Sequence, residues 1–336
     1  MVLLYIIMDK QKVVFFEVSE ASEPSLRELV ERSPELKGAD VTYTKEELDD
    51  KTAKLAKDAT IISVFVKSTV TKAVIDSASN LKLIVTRSTG FDHVDHAYAA
   101  KKGIHTANVP AYGSRTVAEF AFSLILGLSR KTFASTLQVK NGGGFDISNF
   151  MGFDLQGKTI GIVGTGRIGL NAAQIAKGFD MKILAFDLFP NKEMAAKLGY
   201  TYVQLDELLS RSDVVTLHVP YNKDTHYLIN PGNIRKFKKG AILVNTARGE
   251  ICDTEAIIIG LEENILGGVG LDVVEGERDM KKMSGVFDEL IAHPNVFITP
   301  HMAFFSKEAQ HEIVVTSIED ITAFLRGEEK NLVKAQ

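Results

Sequence analysis

In the second half of the chain, three polar clusters follow apolar runs, and their residue types fit acid–base chemistry on an anionic substrate. Arg248 comes just after the apolar run 241–244, where its guanidinium could reach over the run's carboxyl end and clamp a carboxylate through two parallel hydrogen bonds. His301 follows Pro300 at the end of the run 296–299, and an imidazole there can give or take the proton of a hydroxyl. Glu277 can supply the carboxylate such a histidine needs, since a hydrogen-bonded carboxylate stabilises the protonated imidazole and moves its pKa upward. Taken singly, each residue has an ordinary alternative: a solvated arginine, a satisfied structural histidine, a loop charge.

A second cluster reads as a phosphate cradle. Residues 159–163 are a strand candidate running into Gly164, Gly166 and Gly169, with a helix expected over 167–178. The first glycine allows a tight turn, the second lets the backbone approach a pyrophosphate, and the third permits close helix-to-strand packing, with phosphates at the helix N-terminus. The next strand ends at Asp187, 18 residues past Gly169, where an acid can accept ribose hydroxyls. A 2'-phosphate would be repelled there, and residues 188–192 hold no arginine to relieve it, only Lys192, so NAD is expected over NADP. The alternative is a loop packed for structure alone, with Asp187 capping a strand; the strand-turn-helix context argues against it.

These residues need a frame, and the chain alternates accordingly. Before residue 107, apolar runs at 13–16, 61–66 and 83–86 alternate with helical stretches at 25–33 and 69–79. From residue 158 the pattern restarts, with strands expected at 159–163, 182–186, 214–218, 241–245 and 268–273. Their uniform apolarity fits strands buried on both faces of a parallel sheet. Between the halves, Val117, Phe120, Ala121, Leu124, Ile125 and Leu128 share one face of a helix over 116–131, followed by a glycine-rich loop at 141–144. A last helix is expected over 307–326.

With 336 residues, 45% of them hydrophobic, the chain can bury two cores, and its net charge of −4 gives no basic surface for nucleic acid. One cysteine, Cys252, excludes an internal disulfide and a multi-cysteine metal site and fits the cytoplasm; no metal is expected. The apolar start at 2–8 is too short to span a bilayer and lacks a basic flank, so no membrane partner is expected, and residues 1–11 form an extension before the first strand.

From about residue 61 to 326 the sequence resembles the D-isomer-specific 2-hydroxyacid dehydrogenases, in particular the D-lactate dehydrogenase group. The motifs, in order, are "TRSTGFDHVD", "NVPAYGSRTVAEF", "GIVGTGRIG", "DVVTLHVPYNKDTHYLI", "LVNTARGEICDTEAI", "GLDVVEGE" and "NVFITPHMAFFS". The resemblance implies an α/β chain of two Rossmann-like doubly wound domains with a cleft between them. A flavodoxin-like catalytic domain would comprise 1–107 plus 305–336, and an NAD-binding Rossmann domain 108–304. It implies reduction of a small 2-oxo acid to the D-2-hydroxy acid, with Arg248 binding the substrate, His301 as acid/base and Glu277 orienting it. Thr89 and Gly90 would meet the substrate carboxylate, with Tyr112 and Phe304 bordering its pocket. Cofactor contacts would fall on Arg167, Ile168, Asp187, Val219, Pro220, Thr225, Thr246, Ala247 and Asp272, the last toward the nicotinamide carboxamide. Such enzymes are typically homodimers, a role the apolar helix 116–131 suits, with interdomain packing as the alternative. Lys67 departs from relatives that carry an aromatic residue there, which predicts better turnover of a polar or acidic 2-oxo acid than of pyruvate. Hydroxypyruvate/glyoxylate reductases and phosphoglycerate-type reductases are the nearer alternatives, and a non-enzymatic NAD-sensing adaptor the more distant one.

Overall fold

The computed structural model describes residues 10–277 and 285–334. They form two compact units: those up to Gly113 together with those from Ser306, and Ser114–Phe305. The boundaries fall later than the expected 107/108 and 304/305. The first unit's last strand runs to Asn108, and the Val109 N–H then bonds Ser88 O, which keeps the chain on that unit. Phe305 stays with the second unit through its N–H to Met302 O. Of the extension read at 1–11, all but the last two residues lie outside the described ones.

The first unit holds a parallel sheet of β1 (Lys12–Phe15), β2 (Asp40–Tyr43), β3 (Ile61–Val64), β4 (Leu83–Thr86) and β5 (His105–Asn108), ordered β2-β1-β3-β4-β5. Helices α1 (Glu23–Arg32), α2 (Lys72–Ser77) and α3 (His96–Lys101) connect them. The central strand β3 is buried throughout, as a strand covered on both faces must be. It ends two residues before the expected Val66, because Glu17 reaches across to take the next amides. Its Oε1 accepts the N–H of Phe65 at 3.0 Å and of Ser68 at 2.9 Å, and its Oε2 that of Lys67 at 2.9 Å. The Lys67 side chain itself is exposed.

In the second unit, α4 (Ser114–Ser129) and α5 (Thr132–Lys140) precede β6 (Thr159–Val163), α6 (Arg167–Gly178), β7 (Lys182–Phe186), α7 (Lys192–Leu198) and β8 (Thr201–Tyr202). There follow α8 (Leu205–Arg211), β9 (Val214–Leu217), β10 (Ala241–Asn245), α9 (Thr254–Glu262), β11 (Leu266–Leu271), α10 (Val286–Ala292) and β12 (Val296–Ile298). Among the described residues the sheet has seven parallel strands in the order β12-β11-β10-β9-β6-β7-β8, so connections reverse direction between β6 and β9. In open sheets of this kind, ligands bind beyond the carboxyl ends of the strands at that reversal.

Gly268 and Gly270 of β11 let α4 come close, with added Cβ atoms falling 2.9 Å from Leu128 and 3.1 Å from Leu124. The apolar face of α4 that suggested an interface is therefore spent inside its own unit: Ala118, Ala121, Phe122, Leu124, Ile125 and Leu128 are buried with Ile160, Ile162 and Val244. The last helix, α11 (Lys307–Leu325), packs in the first unit, burying Val314, Ile318 and Ile321 with Phe15 and Leu83.

Candidate active site

Two sets of residues, a nucleotide cradle and an acid–base group, stand at the carboxyl ends of the second sheet. At the end of β6, Gly164 has φ +92°, and a Cβ there would lie 2.7 Å from His218 O. A Cβ on Gly169 would lie 2.0 Å from Gly164 O, so α6 could not approach the turn with any larger residue. At Gly166, the N-cap of α6, a Cβ would meet nothing within 4 Å, and no side chain caps the helix. The open helix N-terminus, with Arg167 and Ile168 in its first turn, can thus receive an anion. The Thr246 hydroxyl is buried and has no partner among the described residues. An open cradle together with a buried, unsatisfied hydroxyl fits a dinucleotide.

Asp187 stands just past β7, but its carboxylate is already engaged within the protein: Oδ2 accepts the N–H and hydroxyl of Thr165, and Oδ1 the N–H of Phe189 at 2.8 Å. Thr225 spends its hydroxyl inside its own loop, donating to Pro220 O at 2.7 Å and accepting from Asn222 N–H at 2.8 Å. Val219 and Pro220 follow His218, whose buried imidazole is pushed down to about 4 by desolvation and is therefore neutral.

The acid–base group is built by three loops. Asn245, fully buried at the end of β10, accepts the Ala247 N–H and donates to Arg248 O at 2.7 Å, which fixes the turn that carries Arg248. Arg248 donates from Nη1 to Ala247 O at 2.7 Å. Gly249 then touches the next loop so closely that a Cβ would lie 2.1 Å from Val274 C. That loop is held again where Tyr227, itself at φ +48°, donates to Glu275 Oε1 at 2.5 Å, and where Glu277 Oε2 accepts the Val274 N–H at 3.1 Å.

Glu277 Oε1 lies 2.5 Å from His301 Nδ1, which leaves Nε2 for a substrate. His301 sits at φ +52°, its N–H shared by Asp272 O and Thr299 O. Asp272 over-determines this strained turn. Its Oδ1 accepts the Thr299 hydroxyl at 2.5 Å and Met302 N–H at 2.9 Å, and its Oδ2 accepts Ala303 N–H at 2.7 Å. Any contact from Asp272 to a carboxamide would be additional to these bonds. Half-buried Phe304 places its ring 6.3 Å from that of His301.

The other expected substrate residues lie in the first unit. Asn108 donates to Thr89 O at 2.7 Å, Thr89 Oγ1 donates to Val109 O at 2.9 Å, and Ser88 donates to Gly90 O at 2.6 Å. The N–H groups of Thr89 and Gly90 have no acceptor among the described residues, so the turn can offer two amides to an anion. Tyr112 is half-buried. Thr165, Tyr202 and Tyr227 escaped the sequence reading, whereas Asn245, Gly249 and Glu275 lie in the polar clusters around Arg248 and Glu277 but carried no role of their own. Of these, only Gly249 carried a further signal, as a glycine directly after a candidate substrate arginine.

A glycine-lined helix N-terminus and a carboxylate–histidine pair at the same end of one parallel sheet define a nucleotide-dependent dehydrogenase. The family model for "D-isomer specific 2-hydroxyacid dehydrogenase, NAD binding domain" matches residues 122–303. The chain is 38% identical to a D-lactate dehydrogenase of Curvularia clavata over 298 residues, covering 86% of this chain and 85% of that one. It is 35% identical to a glyoxylate reductase of Korarchaeum cryptofilum over 275 residues, 81% of each. Among solved structures it matches the D-lactate dehydrogenase of Aquifex aeolicus complexed with NAD and lactic acid, with TM-score 0.84 and 35% identity, covering 94% of this chain and 96% of that one. The chain belongs to the D-isomer-specific 2-hydroxyacid dehydrogenase family, and is an NAD-dependent oxidoreductase. Among its described residues no helix is long and apolar enough to cross a membrane.

Proposed function

We propose that this enzyme reduces a small 2-oxo acid to the D-2-hydroxy acid, in the manner of a D-lactate dehydrogenase. The observation that carries the reading is the 2.5 Å contact between Glu277 and His301 Nδ1, which turns the other imidazole nitrogen into a directed proton donor. Bound on the cradle of Gly164, Gly166, Arg167, Ile168 and Gly169, with Asp187, Val219, Pro220, Thr225, Thr246, Ala247 and Asp272 around it, NADH supplies the hydride. His301 holds the proton for the carbonyl oxygen. Arg248 binds the carboxylate and counters negative charge as it develops on that oxygen. In the second unit Phe304, beside His301, borders the substrate, and in the first unit the free amides of Thr89 and Gly90 can bind an anionic group, with Tyr112 as a further substrate residue.

Relatives named as D-lactate dehydrogenases support the lactate reading, and the glyoxylate reductase keeps a smaller oxo acid as the second. The test is NADH oxidation against pyruvate, phenylpyruvate, oxaloacetate, hydroxypyruvate and glyoxylate, with His301→Ala as control and Lys67→Ala to check whether polar acids depend on that lysine. The wild type should turn over at least one acid and His301→Ala at least 100-fold less. Unchanged turnover in His301→Ala would remove the histidine from the chemistry.

We also infer a homodimer. Helix α5 has no buried residue, and Phe133, Leu137, Val139, Phe145, Ile147 and Met151 are all exposed in the stretch that begins there. An exposed apolar stretch of this kind is suited to being covered by a partner, here a second copy. A cytoplasmic site suits the single cysteine, a buried free thiol.

A further inference from the structure

The carboxylate of Asp187 is the end of a chain of hydroxyls. Thr165 Oγ1 lies 2.9 Å from Asp187 Oδ2 and 2.8 Å from Tyr202 Oη. Tyr202 Oη accepts the Asn191 N–H at 2.9 Å and lies 3.3 Å from Tyr200 Oη. Each hydroxyl has one proton and an ionised carboxylate can only accept, so the direction is fixed. Thr165 must give its proton to Asp187, Tyr202 must give its proton to Thr165, and Tyr200 donates to Tyr202. With its own N–H at 2.6 Å, Thr165 places two donors on Oδ2. Oδ1 receives only Phe189 N–H and keeps a lone pair open.

We infer that Thr165 and Tyr202 are positioning residues for cofactor selectivity, locking Asp187 with one oxygen saturated and the other presented to a ribose hydroxyl. A carboxylate free to rotate could swing aside, and exposed Lys192, at the start of the next helix, could then meet a 2'-phosphate. Locked, the charge stays where a phosphate is repelled and a hydroxyl is bound. The inference rests on the reading of Asp187 as the ribose acid.

The chain has no tryptophan, so binding is followed by the cofactor's own fluorescence, giving Kd for NADH and NADPH without turnover. Thr165→Val keeps the shape and removes the hydroxyl. Its NADH Kd should rise about tenfold while its NADPH Kd stays the same or falls, the loss expected for one hydrogen bond to a charged group. Tyr202→Phe should move the ratio in the same direction, and Thr165→Ser should restore it. An equal loss for both cofactors, or a valine variant with the wild-type ratio, would overturn the inference. Asp187→Ala separates the two ideas. If it leaves the ratio unchanged, the ribose reading itself fails; if it collapses the ratio while Thr165→Val does not, only the hydroxyl chain is refuted.

Discussion

Burial alone would push the Glu277 carboxyl up. The hydrogen bond and charge of His301, the Val274 N–H and the charge of Arg248 outweigh it and hold the group below the ordinary carboxylate range. Because the folded value is depressed, the stability this pairing contributes is present above the unfolded value near ~4.3 and is lost as pH falls through the lowered folded value. At neutral pH Glu277 is therefore charged, and as an acceptor it holds the proton on His301 Nδ1 and fixes the orientation of the ring. Glu277→Gln keeps the shape and removes the charge. Its kcat/KM for oxo-acid reduction should fall on the order of 100-fold. Steady-state rates of NADH oxidation with the preferred oxo acid check this; a mutant with the wild-type kcat/KM would mean that Glu277 does not support His301. The pair was legible in the sequence, since both residues follow apolar runs. Their supports were not, because Gly249 meets Val274 and Tyr227 meets Glu275 only once separate loops have folded together.

At the scale of elements, the sequence showed what apolar periodicity controls and missed what long-range hydrogen bonds control. Strands buried on both faces stood out, whereas β2 and β8 at sheet edges are short, half-exposed and carry no continuous apolar run. The end of β3 is set by Glu17, 48 residues earlier, which no local pattern records. Helix α5 begins after Lys131 at φ +55° and buries nothing, so it had no period to read. Helix α11 hides a further long-range feature. Its Asp320 is 1% exposed, Oδ1 accepts from Asn331 at 2.8 Å, and Oδ2 has no partner among the described residues. Asn331 belongs to a terminal strap that lies along β5, where Asn108 N–H bonds Asn331 O and Val333 N–H bonds Thr106 O. Burial pushes the Asp320 carboxyl up to about 7, above its unfolded value near ~3.9. The folded state thus binds the proton more tightly, and stability from this group is full below about pH 4 and falls as pH rises through 7. Asp320→Asn should stabilise the protein at pH 8, on the order of 2 kcal/mol, and do little at pH 4.5. Urea melts of both proteins at the two pH values measure it; an equal effect at each pH would show that the carboxyl does not titrate with folding.

For the whole molecule, what matters is which apolar surface folding leaves uncovered. The sequence pointed to the helix at 116–131 as a dimer surface, but α4 spends its apolar face on β10, β11 and α6. Water meets the next segment instead: Phe145 is 89% exposed, Ile147 79% and Met151 90%. Between residues 132 and 151 only Lys140 and Asp146 are charged. The chain's charged residues, 24% of the whole, are thus sparse where apolar groups are most exposed, the reverse of a surface meant for solvent. A second copy presenting the same segment across a two-fold axis would cover both at once. Sedimentation at micromolar concentration should therefore give twice 36.9 kDa for the wild type and 36.9 kDa for the double variant Phe145→Asp, Met151→Asp. Each new charge would be buried unpaired in the interface, a cost of several kcal/mol that a dimer of ordinary affinity does not survive. A wild type that sediments as a monomer at that concentration, or a double variant that stays dimeric, would show that this segment does not join two copies.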